Sequence, residues 1–366
     1  MSEDRALDVR LVLGTSAGGV GSHVRSLVRG LAGEGDTVRV LGPESTERRF
    51  AFSLEGAAFD PVEIGPSPRP LEDARTVRRL RRLLEGADVV HAHGLRAGML
   101  AGLALRDSTP LVVTWHNAVL ARGPRGALIG RMERYVAGRA AVTLAVSPDL
   151  VERVRELGGG DVRLAEVVAA PMPSALRTRA EVRAELGAGA APLILAVGRL
   201  APQKAYPVLL AAARLWRDRP GRPLTVVAGD GPLRAQLQRR ISQDGLAVRL
   251  LGQRDDVPDL LAAADVVVLS SQWEGRPLVV EEALRAGTPL VATSVGGVPA
   301  MVGDAALLVP PDDPSALAAA VTRVLDDPEL ADRLRRDGAL RAAGFPTEHD
   351  SALAARRVYA QLVGVR

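Results

Sequence analysis

A rhythm that runs twice along this 366-residue chain limits its fold more than any other feature. Short apolar runs rich in β-branched residues alternate with longer segments of helical period. In the first half the runs are DVRLVLG (8–14), TVRVLG (37–42), ADVVHA (87–92), PLVVTWH (110–116), AVTLAVS (141–147) and EVVAA (166–170). In the second half they are PLILAVG (192–198), PLTVVAG (223–229), AVRLLG (247–252), DVVVLS (265–270) and TPLVATS (288–294). Strands without polar alternation are buried on both faces, so each half is expected to be a parallel sheet covered by helices, an α/β architecture. The rhythm stops over 169–192, where Pro and Gly gather around one short helix. The domain junction is placed there, giving domains 1–170 and 171–346. One more helix follows the break at 344–346.

Composition narrows the chemistry. Aromatic residues make up only 3% while hydrophobic residues make up 47%, so the cores are expected to be built from Ala, Val and Leu. Cysteine is absent, which excludes disulfides, thiolate catalysis and Cys-ligated metals. The charged start MSEDRALDVRLVLG does not read as a signal peptide, and no apolar run approaches the ~18 residues of a membrane span. A cytoplasmic protein is therefore expected. The net charge is only +4, and the basic residues are arginines except for Lys204, just as Asn117 is the sole asparagine. Low net charge and the lack of interleaved aromatics argue against nucleic-acid binding.

Parallel sheets bind ligands at the carboxyl ends of their strands. The first strand ends in the turn Gly14 to Gly21, whose Gly18 and Gly19 precede a helix expected near Ser22. Glycines and a helix N-terminus favour an anion, although a ligand-free strand–helix turn has the same sequence. The G-x-G-x-x-G dinucleotide spacing is absent. His91 and His93 end one strand, and His116 and Asn117 the next; with His23, four of the five histidines gather in this half. Their spacing lacks the H-x-x-x-H or nearby carboxylate of a zinc site, so neutral imidazoles bonding to sugar hydroxyls fit better. The second half opens with Gly198, Arg199 and Lys204, two cations five residues apart that suit a diphosphate. An exposed, unpaired cation is the alternative. Further on, Glu274 lies in the loop after a strand and Glu282 in the first turns of the next helix. That carboxylate pair fits either a sugar hydroxyl and a ribose diol, or a glycosidase acid and nucleophile.

In order and spacing, these motifs resemble the retaining glycosyltransferase family 4, the glycogen-synthase-like group 1 enzymes. The resemblance spans nearly the whole chain. Its most specific part is the E-x7-E pair Glu274 and Glu282 followed by GTPLVAT (287–293) and Gly296–Gly297, supported by Gly229–Pro232 and 251–265. It implies the GT-B fold, two Rossmann-like parallel-sheet domains facing a central cleft, with the helix in 347–366 packing back on the acceptor-binding domain 1–170. Residues 171–346 would bind a nucleotide-diphosphate-sugar as co-substrate, with no cofactor and no metal. Arg199 and Lys204 would hold the diphosphate, Glu282 the ribose, and Glu274 and His116 the transferred sugar. Gly18, Gly19, Gly198, Gly275, Arg276, Pro277 and Leu278 would complete the donor site, and His23, His93 and Asn117 would meet the acceptor. The chain departs from the family pattern at Ala205 and Pro207 after Lys204, at 170–173 and at Ala300, which leaves the nucleotide and hinge details open.

The resemblance implies that transfer retains the anomeric configuration, with the cations stabilising charge on the departing diphosphate. The adjacent acids Asp255–Asp256 and Asp312–Asp313 read as solvated turn carboxylates rather than a metal-binding pair. A nucleotide-sugar 2-epimerase of the same fold, a pyridoxal-phosphate phosphorylase using Lys204 and a non-catalytic relative are the rival readings. Over 65–140 there are 13 arginines against 6 acids. Leu71, Ala74, Val77, Leu80 and Leu84 form one helical stripe there, with Arg75, Arg78, Arg79, Arg81 and Arg82 largely off it. This face reads either as solvated or as a peripheral contact with an anionic membrane surface.

Overall fold

The structure is a computed structural model that describes residues 5–16, 18–106, 108–118, 123–165, 167–169, 171–217, 219 and 221–364. It divides into two compact units, Met1–Ala170 with Pro346–Arg366, and Pro171–Phe345.

The first unit holds a seven-stranded sheet. Its strands are β1 (Asp8–Leu13), β2 (Thr37–Gly42), β3 (Ala58–Pro61), β4 (Val89–His93), β5 (Leu111–Trp115), β6 (Val142–Ala145) and β7 (Val162–Leu164). They lie in the order β3-β2-β1-β4-β5-β6-β7, and every pair is parallel. The second unit holds β8 (Leu193–Val197), β9 (Leu224–Ala228), β10 (Val248–Gly252), β11 (Val266–Leu269), β12 (Leu290–Thr293) and β13 (Leu307–Val309). Their order is β10-β9-β8-β11-β12-β13, again parallel throughout. Alternate residues of the second sheet feed two separate cores: Leu193, Leu195 and Val267 on one face, Ile194, Val266 and Val268 on the other. This burial on both faces is why the strand sequences lack polar alternation.

Three sequence expectations need correction. Val167–Ala169, read as a strand, have no regular structure; the strand is β7, a few residues earlier, and Glu166 and Ala170 lie outside the described residues. β3 and β13 were not anticipated, since both are edge strands of only four and three residues, too short to show a pattern. On the helix Pro70–Leu83 the apolar stripe is truncated: Leu80 and Leu84 are buried, but Leu71 is 79% exposed and Ala74 is exposed too. Arg81 is not solvated with its neighbours. It donates to the carbonyls of Ala104 and Leu103 at 3.3 and 3.4 Å, capping the C-terminal end of the helix Leu95–Ala104.

The last helix, Glu348–Val363, starts with a reciprocal Thr347–Asp350 capping box. Ala352, Ala355, Val358 and Tyr359 pack into the core of the first sheet. Arg356 forms a buried ion pair with Asp36 at 3.0 Å, and Asp36 also accepts from the Leu7 amide at 2.9 Å. No helix among the described residues is long and apolar enough to cross a membrane.

Candidate functional site

In the first sheet the chain winds outward from β1 through β2 to β3, then from β4 in the opposite direction. The carboxyl ends of β1 and β4 therefore diverge into a crevice, the usual ligand position in such sheets. Leu13 pairs with His93 in register, so β1 delivers Gly14, Thr15 and Ser16 beside His93, Gly94 and the helix Leu95–Ala104. β5 adds Trp115, His116 and Asn117. Together these line a cavity of about 550 Å³. The helix expected near Ser22 starts at Gly19, with Gly18 as its N-cap. Its first turn carries no acid, and Ser16 Oγ accepts from the Gly21 amide at 3.1 Å. Ala17, within that turn, lies outside the described residues.

The four histidines of this half do gather, but in different roles. His91 uses both ring nitrogens, one with the Tyr359 hydroxyl at 2.6 Å and the other with Thr114 Oγ1 at 2.7 Å. It anchors the last helix to the sheet. His93 packs against it at a tilt of 36° with centroids 4.2 Å apart, and its Nδ1 lies 3.3 Å from His116 Nε2. His23 meets the rings of His93 and His116 edge-on at 5.6 and 5.7 Å, yet it lines a different cavity of about 290 Å³. Burial lowers all four: His23 to about 4, His91 to about 3, and His93 and His116 well below the usual value. Mutual repulsion adds to burial for His91, His93 and His116, so the cluster is neutral near pH 7. Asn117 is exposed at the cavity wall. Among the described residues no group of three His, Cys, Asp or Glu is arranged to hold a metal.

The second sheet repeats the topology, with β8 and β11 as the diverging pair. β8 leads into Gly198 and Arg199, and Arg199 is exposed with no ion pair among the described residues. Gly198 accepts at its carbonyl from the Tyr206 hydroxyl at 3.0 Å. Lys204 closes a 3-10 turn, Pro202–Lys204, and its Nζ donates to Glu274 Oε1 at 2.6 Å. Ser271 Oγ donates to the same oxygen at 2.5 Å. The free-cation alternative for Lys204 is therefore wrong, because the two groups assigned to separate parts of a ligand are paired with each other. Gly296 holds this loop in place. At φ 51° its backbone comes so close that a Cβ would sit 2.0 Å from the Glu274 carbonyl oxygen.

Gly275, Arg276 and Pro277 lead into the helix Leu278–Arg285, which has no side-chain cap bond at its start. Arg276 is engaged within the fold, 3.4 Å from Glu281 and over the Phe345 ring at 5.1 Å. Glu281 is fully buried and also held by Arg285 at 2.8 Å. Its neighbour Glu282 is half-buried and has no hydrogen-bond partner among the described residues. Burial, then the charge of Glu281, holds the Glu282 carboxyl above its ordinary range. Of the acid pairs read as solvated, Asp255 and Asp312 are exposed, whereas Asp256 and Asp313 are structural. Asp256 accepts from Arg254 at 2.7 Å and pairs with Arg177, and Asp313 caps a helix through the Ala316 amide at 2.8 Å.

Residues 178–341 match the family described as Glycosyl transferases group 1, and residues 18–171 match the description Glycosyl transferase 4-like domain. A D-inositol 3-phosphate glycosyltransferase of Saccharomonospora viridis is 36% identical over 80% of this chain and 75% of its own length. The chain belongs to the group 1 glycosyltransferases. A glycogen synthase of Mycobacterium tuberculosis is 32% identical over 87% of this chain and 85% of its own. Among solved structures, Anabaena HepE in complex with UDP aligns with a TM-score of 0.81 at 19% identity, over 97% of this chain and all of that one. The fold is GT-B, with two parallel-sheet α/β domains.

Three features of this glycosyltransferase were not legible beforehand. Ser271 donates to Glu274 of the E-x7-E pair, and the charge of Glu281 helps hold the Glu282 carboxyl above its ordinary range. Trp115 and Arg96 line the first unit's cavity. Trp115 sits immediately before His116 at a strand end, a position that was itself the available signal. Arg96 lay hidden among the arginines of a chain that uses them everywhere.

Proposed function

We propose that this glycosyltransferase moves a sugar from a nucleotide-diphosphate-sugar to a hydroxyl acceptor, with retention and without a metal ion. The second unit takes the donor and the first unit the acceptor. The observation that carries the reading is Glu282, a half-buried carboxylate without a partner among the described residues, next to a Glu281 that is fully tied down. An acid kept unpaired at such cost suits an external donor of hydrogen bonds, and a ribose diol supplies two. Arg199 and Lys204 lie on the same strand-end loop. As the bond from the anomeric carbon to the phosphate oxygen breaks, the electron pair leaves with the diphosphate, where these cations and the N-terminus of Leu278–Arg285 stabilise it. The acceptor oxygen bonds to the same face of that carbon, and its proton passes to the departing phosphate. HepE's complexes with UDP and with UDP-glucose support this donor class.

Calorimetric titration with UDP-, GDP- and ADP-glucose in EDTA tests the proposal. We expect one nucleotide class to bind and to lose affinity in Lys204→Ala and Glu282→Gln. No binding of any of these to folded protein, or binding only after a divalent ion is restored, would refute it; an inverted product in the NMR spectrum would refute retention. The exposed Arg75, Arg78, Arg79 and Arg82, beside exposed Leu71, favour a peripheral contact of the cytoplasmic enzyme with anionic membrane. Equal failure to sediment with neutral and anionic vesicles would dismiss it.

A further inference from the structure

The cavity of about 550 Å³ in the first unit has a wall with an unusual balance. Much of it is apolar, with Val20, Ile64, Leu95, Leu128, Ile129 and Met132 facing the space. Among the described residues a single formal charge, Arg96, lines it, and no Asp or Glu does. Polyhydroxylated sugars are usually held by carboxylates and amides that accept from their hydroxyls, and among the described lining residues Asn117 alone offers such a side chain.

Three buried polar atoms on residues that line the cavity lack partners among the described residues. Trp115 is 3% exposed and its Nε1 has no acceptor among the described residues; His93 is also 3% exposed, and its Nε2 has no partner there either. Arg96 is fixed on two edges, with Nη2 on Asp73 Oδ1 at 2.6 Å and Nε on the Gly65 carbonyl at 3.3 Å. Its Nη1 is buried and unpaired among the described residues. Buried donors without acceptors are costly, so such a set implies a ligand that completes them. The helix Leu95–Ala104 points the same way, since it begins at Gly94 with no side-chain cap and no acid in its first turn.

We propose that the acceptor of this enzyme is an alcohol with an apolar body and an anionic group, carboxylate or phosphate, seated against Arg96, Trp115 and the N-terminus of Leu95–Ala104. This rests on the reading of the first unit as the acceptor side. Asp73 neutralises part of the Arg96 charge from behind and fixes which nitrogen is left for the ligand. The neutral His93 and His116 remain for the hydroxyl.

The test titrates the full chain with matched probes: 4-hydroxyphenylpropionate against its amide, octyl phosphate against octanol, and maltose as a sugar control. We expect each anion to bind at least about tenfold tighter than its neutral partner, the effect of one charge-assisted hydrogen bond. That preference should vanish in Arg96→Gln and shrink in Trp115→Phe, which keeps the ring and removes only the N–H. UDP-glucose affinity, measured in the same variants, should be unchanged. Parity between anion and neutral partner, or maltose binding in preference to both anions, would overturn the proposal. Anion preference in a protein that binds no nucleotide-sugar would instead leave this site standing and sink the donor reading.

Discussion

The Lys204–Glu274 pair is the contact in the second unit whose removal tells most. The charges are 2.6 Å apart, with side chains 20% and 8% exposed. At an effective dielectric of about 20, unit charges at that separation attract by roughly 6 kcal/mol. Desolvating the carboxylate and the ammonium cancels several kcal/mol of this, leaving a net coupling of about 1–3 kcal/mol. Lys204→Met leaves Glu274 buried with only the Ser271 hydroxyl, so it should cost more, about 2–4 kcal/mol. Glu274→Gln keeps an amide oxygen for Lys204 and should cost less. The double variant should then be more stable than the sum of the singles predicts. The assay is urea unfolding followed by tryptophan fluorescence, because Trp216 and Trp273 report on the second unit and only Trp115 on the first. Additivity within about 0.5 kcal/mol would show the pair to be an uncoupled surface contact and refute the reasoning.

Three other outcomes are expected. Ala205, where the family pattern has glycine, adopts the left-handed φ of 48° right after Lys204, so Ala205→Gly should raise stability by about 1 kcal/mol, read as a higher urea midpoint; an unchanged or lower midpoint refutes this. Glu282 has a folded-state value above its unfolded one, so its ionisation opposes folding as pH rises past the ordinary carboxylate range; Glu282→Gln should gain thermal stability at pH 8 over pH 4 while losing donor affinity. The histidine cluster runs the other way. With His23 at about 4 when folded and 6.5 when unfolded, stability is full above about pH 6.5 and falls as pH drops towards 4, by about 3 kcal/mol for His23 alone, and His23→Gln should flatten that part of the pH–stability curve.

The α/β class was legible because period and composition act everywhere along a strand: a run such as PLILAVG has one way to be buried on both faces. The edge strands β3 and β13 were not, since they are only four and three residues long, too short for a periodic signal. The helix stripe over Leu71 to Leu84 failed for a related reason, because period shows which residues share a face but not how far the neighbouring layer extends over it. Among the site residues, strand-end placement was readable from the motifs, whereas side-chain partnership was not. The Lys204–Glu274 contact was not readable because the two residues are seventy apart in sequence, and the contacts of Arg276 with Glu281 and Phe345 are invisible until the helix is folded.

If the second unit takes the donor as proposed, that partnership has a physical consequence for binding. Two cations of the strand-end loop are present, but only Arg199 is free to meet an incoming diphosphate at full charge; Lys204 is already neutralised by Glu274. A ligand that brings two negative charges does not have to break that pair, because the ammonium has three donors and Glu274 with Ser271 occupies one carboxylate oxygen. The pair then acts as a positioning device. In the proposed donor role, Glu274 sets where Lys204 points before the donor arrives, which would lower the ordering cost of binding. An arginine in place of Lys204 would offer a rigid fork to one partner rather than a compact charge shared by two. The sole lysine among 47 basic residues sits at this pair.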